Sequence, residues 1–230
     1  MLARIFSLLV GLLLAGFIPL ALAQSVTPTR VQINLEDSPQ AILTLSSVKP
    51  VDVAIEFSVL GYSASLADME APLQVIPPQM LLRPGETKQV MVRWRGSSTL
   101  RRSASYYLAI DELPLAVKDR EVSAAIQLLT TLRLPIHVHA SGEAELAFSP
   151  PQVDGSASLE FYNTGEQYAL LSHYEIGVTH DLEVILFDGL DFARLLNRDA
   201  ILPGQMVSIP LRLIGLDAAG LQGARLVRKE

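Results

Sequence analysis

From residue 30 onward, short runs of Val, Ile, Leu, Tyr and Phe alternate with polar positions and are cut by Pro, Gly, Asn and Asp. A period of two sends successive side chains to opposite faces, so these runs predict β-strands rather than helices. Strands are predicted over 30–35, 41–46, 51–60, 88–94, 106–112 and 122–138, then over 158–162, 168–178, 182–187, 207–213 and 224–227. Many short strands separated by turn residues are the pattern of a β-sandwich or barrel. Met80-Leu81-Leu82 lies between Pro77-Pro78 and Arg83-Pro84-Gly85-Glu86. It is therefore confined to an edge or a turn, where missing amide donors are tolerated. Residues 191–198 alone have some helical character, read as a loop or a single turn.

His139-Ala140-Ser141-Gly142-Glu143 interrupts the alternation after the longest predicted strand and is the candidate hinge. The expected organisation is a leader over 1–23, an N-terminal domain over 24–140 and a smaller C-terminal β-sandwich over 141–230. Leu202-Pro203-Gly204-Gln205 repeats the turn chemistry of Arg83-Pro84-Gly85-Glu86, each before a strand, which suggests two related sandwiches.

Within 122–138 the even positions are Val122, Ala124, Ile126, Leu128, Thr130, Leu132, Leu134, Ile136 and Val138, all apolar but for Thr130. The odd positions are mostly polar or small, and include Arg133, Pro135 and His137. A strand so much longer than the usual five or six residues either crosses between sheets or overhangs its own. Two readings stay open: a long strand wholly buried at home, or one whose first half is an exposed edge that templates a partner strand. Pro135 removes an amide late in the strand and leaves the half from Val122 to Thr130 free to pair.

Composition narrows the classes. Arg4 followed by an apolar run that ends Ala21-Leu22-Ala23 predicts a secretory signal peptide cut before Gln24 and hence export. An uncleaved membrane anchor is the open alternative. Half of the residues are hydrophobic and 18% charged, enough core for two domains and far from a disordered chain. The chain has no cysteine, so disulfides and thiolate chemistry are closed and the fold rests on burial. A net charge of -6 argues against a nucleic-acid partner.

Catalytic and metal constellations are weak. Gly61-Tyr62-Ser63-Ala64-Ser65 is one residue short of a nucleophile elbow and lacks its strand-to-helix context. His137 and His139 have a spacing that metal sites use, but no third ligand lies nearby, so a solvent-facing or hinge-packing pair is expected. Asp188-Gly189-Leu190-Asp191 lacks the ligands of a calcium loop and is read as a turn. Tyr106, Tyr107 and Trp94 are expected in the core or on a sheet face. No enzyme activity, cofactor, metal or small-molecule substrate is expected.

Several segments, in order, resemble periplasmic pilus-assembly chaperones of the PapD type. They are Thr29-Arg30-Val31, Ile76-Pro77-Pro78, Leu82-Arg83-Pro84-Gly85-Glu86 and the run from Tyr106 to Pro114. Leu132-Arg133-Leu134-Pro135-Ile136-His137-Val138 resembles the end of that family's donor strand, and Phe161-Tyr162-Asn163-Thr164-Gly165 with Leu202-Pro203-Gly204-Gln205 its second domain. The Leu-x-Leu-Pro ending and the lack of cysteine look most like the branch serving archaic or alternative ushers.

The resemblance implies an all-β fold of two immunoglobulin-like sandwich domains in an L-shaped arrangement. It implies a non-enzymatic chaperone that completes pilus subunits by donor-strand complementation and delivers them to an outer-membrane usher. By the same resemblance Arg30 and Arg133 hold the subunit's C-terminal carboxylate, as paired guanidiniums in a cleft can. Val122, Ala124, Ile126, Leu128 and Thr130 are then the lent strand, with Ala124 smaller than that pocket usually receives. The loop 115–121, with Lys118-Asp119-Arg120, precedes it. A structural pilus or surface protein is the alternative; the short stretch from Gln24 to Thr29, too brief for a pilin's own donor extension, favours the chaperone. Whether the free protein self-associates to cap its edge stays open.

Overall fold

The structure is a computed structural model that describes residues 25–62, 70–115, 128–149 and 158–229. The predicted leader, Ser63 to Ser65, most of the 115–121 loop, and Val122, Ala124 and Ile126 lie outside the described residues.

Two sheets pack face to face in the first half of the chain. One has the order β1 (Ser25–Thr27), β3 (Gln40–Ser46), β7 (Thr87–Trp94), β5 (Leu73–Ile76). The other has the order β2 (Val31–Ile33), β9 (Thr131–Val138), β8 (Ala104–Leu113), β4 (Val53–Gly61), β6 (Gln79–Leu82). Only β2 and β9 pair in parallel among these strands. Alternation decides the core: Val90, Val92 and Trp94 of β7 turn inward against Leu108 and Ile110 of β8 and Leu134, Ile136 and Val138 of β9. The Met80-Leu81-Leu82 piece is the edge strand β6, as the flanking prolines require. Tyr106 packs on this core and tilts against Trp94, while Tyr107 faces the opposite side of the sheet.

Two differences from the sequence pattern bear on the site. The predicted strand 30–35 shortens to β2, because Asn34 begins a turn in which its carbonyl accepts from the Asp37 and Ser38 amides. Among the described residues the predicted strand 122–138 is paired from Thr131 onward; Leu128 and Thr130 lie outside any strand and are exposed. The partner strand accounts for this limit. β8 pairs with β9 as far as Asp111↔Thr131, one more bond joins the Glu112 amide to the Thr130 carbonyl, and Pro114 ends the ladder's donors.

The second half packs its own core around Phe161, Leu159, Ile176, Val178, Phe192 and Ile209. Its sheets are β10 (Leu146–Ser149), β11 (Ser158–Asn163) and β16 (Met206–Pro210); β14 (Glu183–Asp188), β13 (Tyr174–His180) and β17 (Leu221–Arg228); and the pair β12 (Ala169–Leu170) with β15 (Ala200–Ile201). The predicted strand 168–178 is broken by a 3-10 turn at Leu171–His173, and 207–213 ends in another at Leu211–Ile214. The stretch 191–198, read as a loop or a single turn, overlaps a two-turn helix, α1 (Gly189–Leu195). Asp188 caps it by accepting from the Leu190 amide at 2.8 Å, which explains the Asp-Gly-Leu-Asp motif without calcium.

The two Pro-Gly turns are the same device. Gly85 and Gly204 sit at φ 71° and 76°, the conformation that glycine adopts without a Cβ clash. In each turn the fourth residue's amide bonds back to the first carbonyl, at 3.0 Å from Glu86 to Arg83 and 2.9 Å from Gln205 to Leu202. In each, the fourth side chain also accepts from the first amide, through Glu86 Oε2 and Gln205 Oε1.

Candidate functional site

The outer face of the five-stranded sheet, away from its core, looks onto the second half of the chain. Register places Ala109 beside Arg133, Tyr107 beside Pro135 and Ser105 beside His137, with Gln32 of β2 on the far side of His137. Extending the parallel β2–β9 register back by one residue sets Arg30 next to Pro135. Arg30, immediately before β2, and Arg133 of the neighbouring strand thus fall on one face, about 8 Å apart at Cα by ordinary strand spacing and rise. That is within the joint reach of two arginine side chains.

The two guanidiniums differ in state. Arg133 is exposed and, among the described residues, has neither a hydrogen-bond nor an ion-pair partner. Arg30 is half-buried and donates from Nη2 to Asp199 Oδ2 at 2.6 Å. Asp199 is itself fixed, because Ser172 donates from its amide to Oδ1 and from its hydroxyl to Oδ2, both at 2.8 Å. Sequence reading missed Asp199: its neighbours Asn197 and Arg198 look like an ordinary polar loop, and the pairing spans 169 positions.

Deeper in the cleft the floor is aromatic. Tyr62 stacks on Tyr107 with centroids 4.6 Å apart, and His137 stacks on Tyr168 at 4.3 Å. Tyr62, Tyr168, Leu170, Ala200 and Leu202 form a third buried cluster bridging the two halves. His137 is 1% exposed and shares a 2.7 Å hydrogen bond with Ser105. Burial first, then the nearby positive charges of Arg30 and His139, push its pKa down from 6.5 to about 3, against a small opposing pull from Asp199. His137 is therefore neutral. The Tyr168 hydroxyl accepts from Gln32 Nε2 at 3.1 Å, which leaves its proton for His139 Nε2 at 2.9 Å. Burial lowers the His139 pKa as well. The H-x-H pair thus packs the hinge, and among the described residues no cluster of three metal-ligating side chains exists.

A strand edge opens at the mouth of the cleft. β2 pairs only with Ile136, His137 and Val138, so among the described residues the Thr131–Leu134 stretch of β9 has β8 on one side and no strand on the other. Beyond it the chain runs out through Thr130 and Leu129 to Leu128, which is 82% exposed. Glu112 holds this exit. Its Oε2 accepts from Lys49 Nζ at 2.6 Å and from the Thr130 amide at 3.1 Å, while its side chain is only 4% exposed.

Comparison with known proteins fits this geometry. The family model for pili and flagellar-assembly chaperones, PapD N-terminal domain, matches residues 23–142. Among curated proteins none matches the sequence significantly. Among solved structures, the Salmonella enterica SafA pilin in complex with the SafB chaperone aligns with TM-score 0.60 at 14% identity, covering 90% of this chain and 96% of that one. The E. coli chaperone DraB aligns with TM-score 0.56 at 17% identity, covering 82% and 86%. The CsuC-CsuE chaperone-tip adhesion subunit complex from the archaic Csu pili of Acinetobacter baumannii aligns with TM-score 0.54 at 12% identity, covering 87% and 96%. At these identities the structures establish the fold, two immunoglobulin-like sandwiches. With the family model spanning more than half of the sequence, this chain belongs to the PapD family of pili and flagellar-assembly chaperones.

Proposed function

We propose that this chaperone works in the periplasm, after removal of residues 1–23, by lending a strand to pilus subunits and passing them to an outer-membrane usher. The boundary between its domains falls in this reading at 140/141. The observation that carries the proposal is the open edge of β9, continued outward by the exposed Leu128. An unpaired edge with apolar side chains on one face is what strand addition requires. The lent residues are Val122, Ala124, Ile126, Leu128 and Thr130, of the same parity as the inward-facing Leu134 and Ile136. Each Ile or Leu placed in a subunit groove contributes about 1.5–3 kcal/mol, and the added ladder satisfies groove amides whose desolvation is otherwise uncompensated. Arg30 and Arg133 anchor the subunit's terminal carboxylate and so set the register of the exchange.

Coexpression with pilins from the same genome tests this. A one-to-one complex is expected with wild type, and it is lost when Ile126 and Leu128 are both changed to Asp. Undiminished subunit recovery with that double variant removes strand lending. Undiminished recovery with Arg133→Ala removes the anchor. A pilus or surface protein in its own right would be recovered in fibres instead.

A further inference from the structure

Arg198 is a cation of the second unit that faces the same cleft. It follows α1 in the segment Asn197-Arg198-Asp199, where Asn197 at φ 48° turns the chain. The next two side chains straddle β9. Asp199 reaches Arg30 on the β2 side, whereas the Arg198 guanidinium carbon stands 6.0 Å from the centroid of the Tyr62 ring. Tyr62 lies on the β8–β4 side, stacked on Tyr107, whose register partner is Pro135. Arg30 also falls beside Pro135, and Arg133 lies two residues outward on the same face. Arg198 is half-buried, and among the described residues no carboxylate pairs with it.

The charge balance gives this placement a consequence. Arg30 is already neutralised by an aspartate that Ser172 holds in place, so an incoming carboxylate meets the repulsion of Asp199 together with the attraction of Arg30. With only two basic residues, one unshared cation, Arg133, would face that anion. Arg198 restores the second.

We propose that Arg198 is a third carboxylate-binding residue, contributed by the second unit and determining specificity for a free C-terminus. The proposal rests on the anchor reading above. It predicts that capture of the terminus draws on both halves of the molecule, with Tyr62 supporting the Arg198 stem and the face of its ring holding the guanidinium.

The test uses the full mature chain and the C-terminal peptide of a pilin from the same genome, prepared as the free acid and as the carboxamide. Binding is followed by fluorescence anisotropy. Wild type is expected to prefer the acid. Arg198→Gln, which keeps much of the stem against Tyr62, is expected to weaken acid binding about tenfold and to leave amide binding unchanged, while Arg198→Lys retains most of the preference. Unchanged acid affinity in Arg198→Gln overturns the proposal. So does equal weakening of both peptides, which marks a packing role. If wild type itself does not distinguish acid from amide, the carboxylate anchor fails and this inference fails with it; a preference that persists in Arg198→Gln sinks only the inference.

Discussion

Arg30 Nη2 lies 2.6 Å from Asp199 Oδ2, and this ion pair ties the entrance of β2 to the loop before β15. Two bonds from Ser172 position the aspartate independently of the arginine, so the guanidinium docks onto a carboxylate already in place. Preorganisation of this kind reduces the entropy lost on ordering a long side chain. The His137–Tyr168 stack and the bond from the Ser103 amide to the Glu166 carbonyl join the halves as well, so interactions of different kinds fix how they meet.

Asp199→Ala is expected to lower unfolding free energy by about 1–3 kcal/mol, since it strands the Ser172 donors as well as Arg30. Asp199→Asn, whose one carbonyl oxygen can still accept from the Ser172 amide while its NH2 donates to the Ser172 hydroxyl, is expected to lose less. Urea titration of both variants checks the order. Equal, negligible losses would mean that solvent already replaces the pair.

Much of this architecture was legible in the sequence, and the parts that were not share a cause. Strands β3, β4, β7 and β8 were visible because alternation is a local property set by which face meets the core. The end of β9 was not, since the alternation from Val122 to Val138 continues whether or not a neighbour exists to pair with. The pairing stops where β8 runs into Pro114, a fact about the partner. Arg30 and Arg133 were picked out by resemblance, and parity correctly put Arg133 opposite the apolar set. Asp199 and Arg198 could not be found that way, because nothing in a polar loop says which distant strand it will meet. The helix α1 was underestimated because Asp188 was weighed as a failed metal ligand rather than as a cap.

Glu112 gives a second expectation, concerning the exit of the lending segment. Its carboxylate joins Lys49 and the Thr130 amide in a nearly dry setting. Glu112→Ala is therefore expected to cost about 2–4 kcal/mol and to speed hydrogen exchange of the Thr130 amide far more than that of Leu134 in mid-strand. Matched acceleration at both amides would show that the residue stabilises the sheet generally and does not hold its end.

The paired turns yield a third. Gly85 has open space where a Cβ would go, and Gly204 has only Arg102 Nη1 at 3.7 Å, so substitution there tests backbone conformation with little steric interference. Gly85→Ala and Gly204→Ala are each expected to destabilise by about 1–2 kcal/mol, the cost of forcing an L-residue to positive φ. Similar values at the two sites, from thermal or denaturant unfolding, would support their being one turn used twice. A loss confined to one would show that the hydrogen-bond likeness between them does not extend to energetics.

His137 supplies the pH dependence. Its pKa is about 3 in the fold against 6.5 for an exposed histidine, so between these values the unfolded chain binds a proton that the folded chain does not. Stability from this group is thus complete above pH 6.5 and is lost as pH falls through the window toward 3, by about 1.4 kcal/mol per unit and on the order of 5 kcal/mol in all. His137→Gln removes the titrating ring, and the Tyr168 stack with it, so the variant is expected to be less stable near neutrality but flatter in acid. The quantity to follow is the difference in unfolding free energy between wild type and variant from about pH 7 to about pH 4, in which the protein's carboxylates largely cancel. That difference is expected to shrink as pH falls. Parallel curves for the two proteins would mean that His137 accepts its proton without unfolding, and that the aromatic floor of the cleft is open to water in a way its 1% exposure does not suggest.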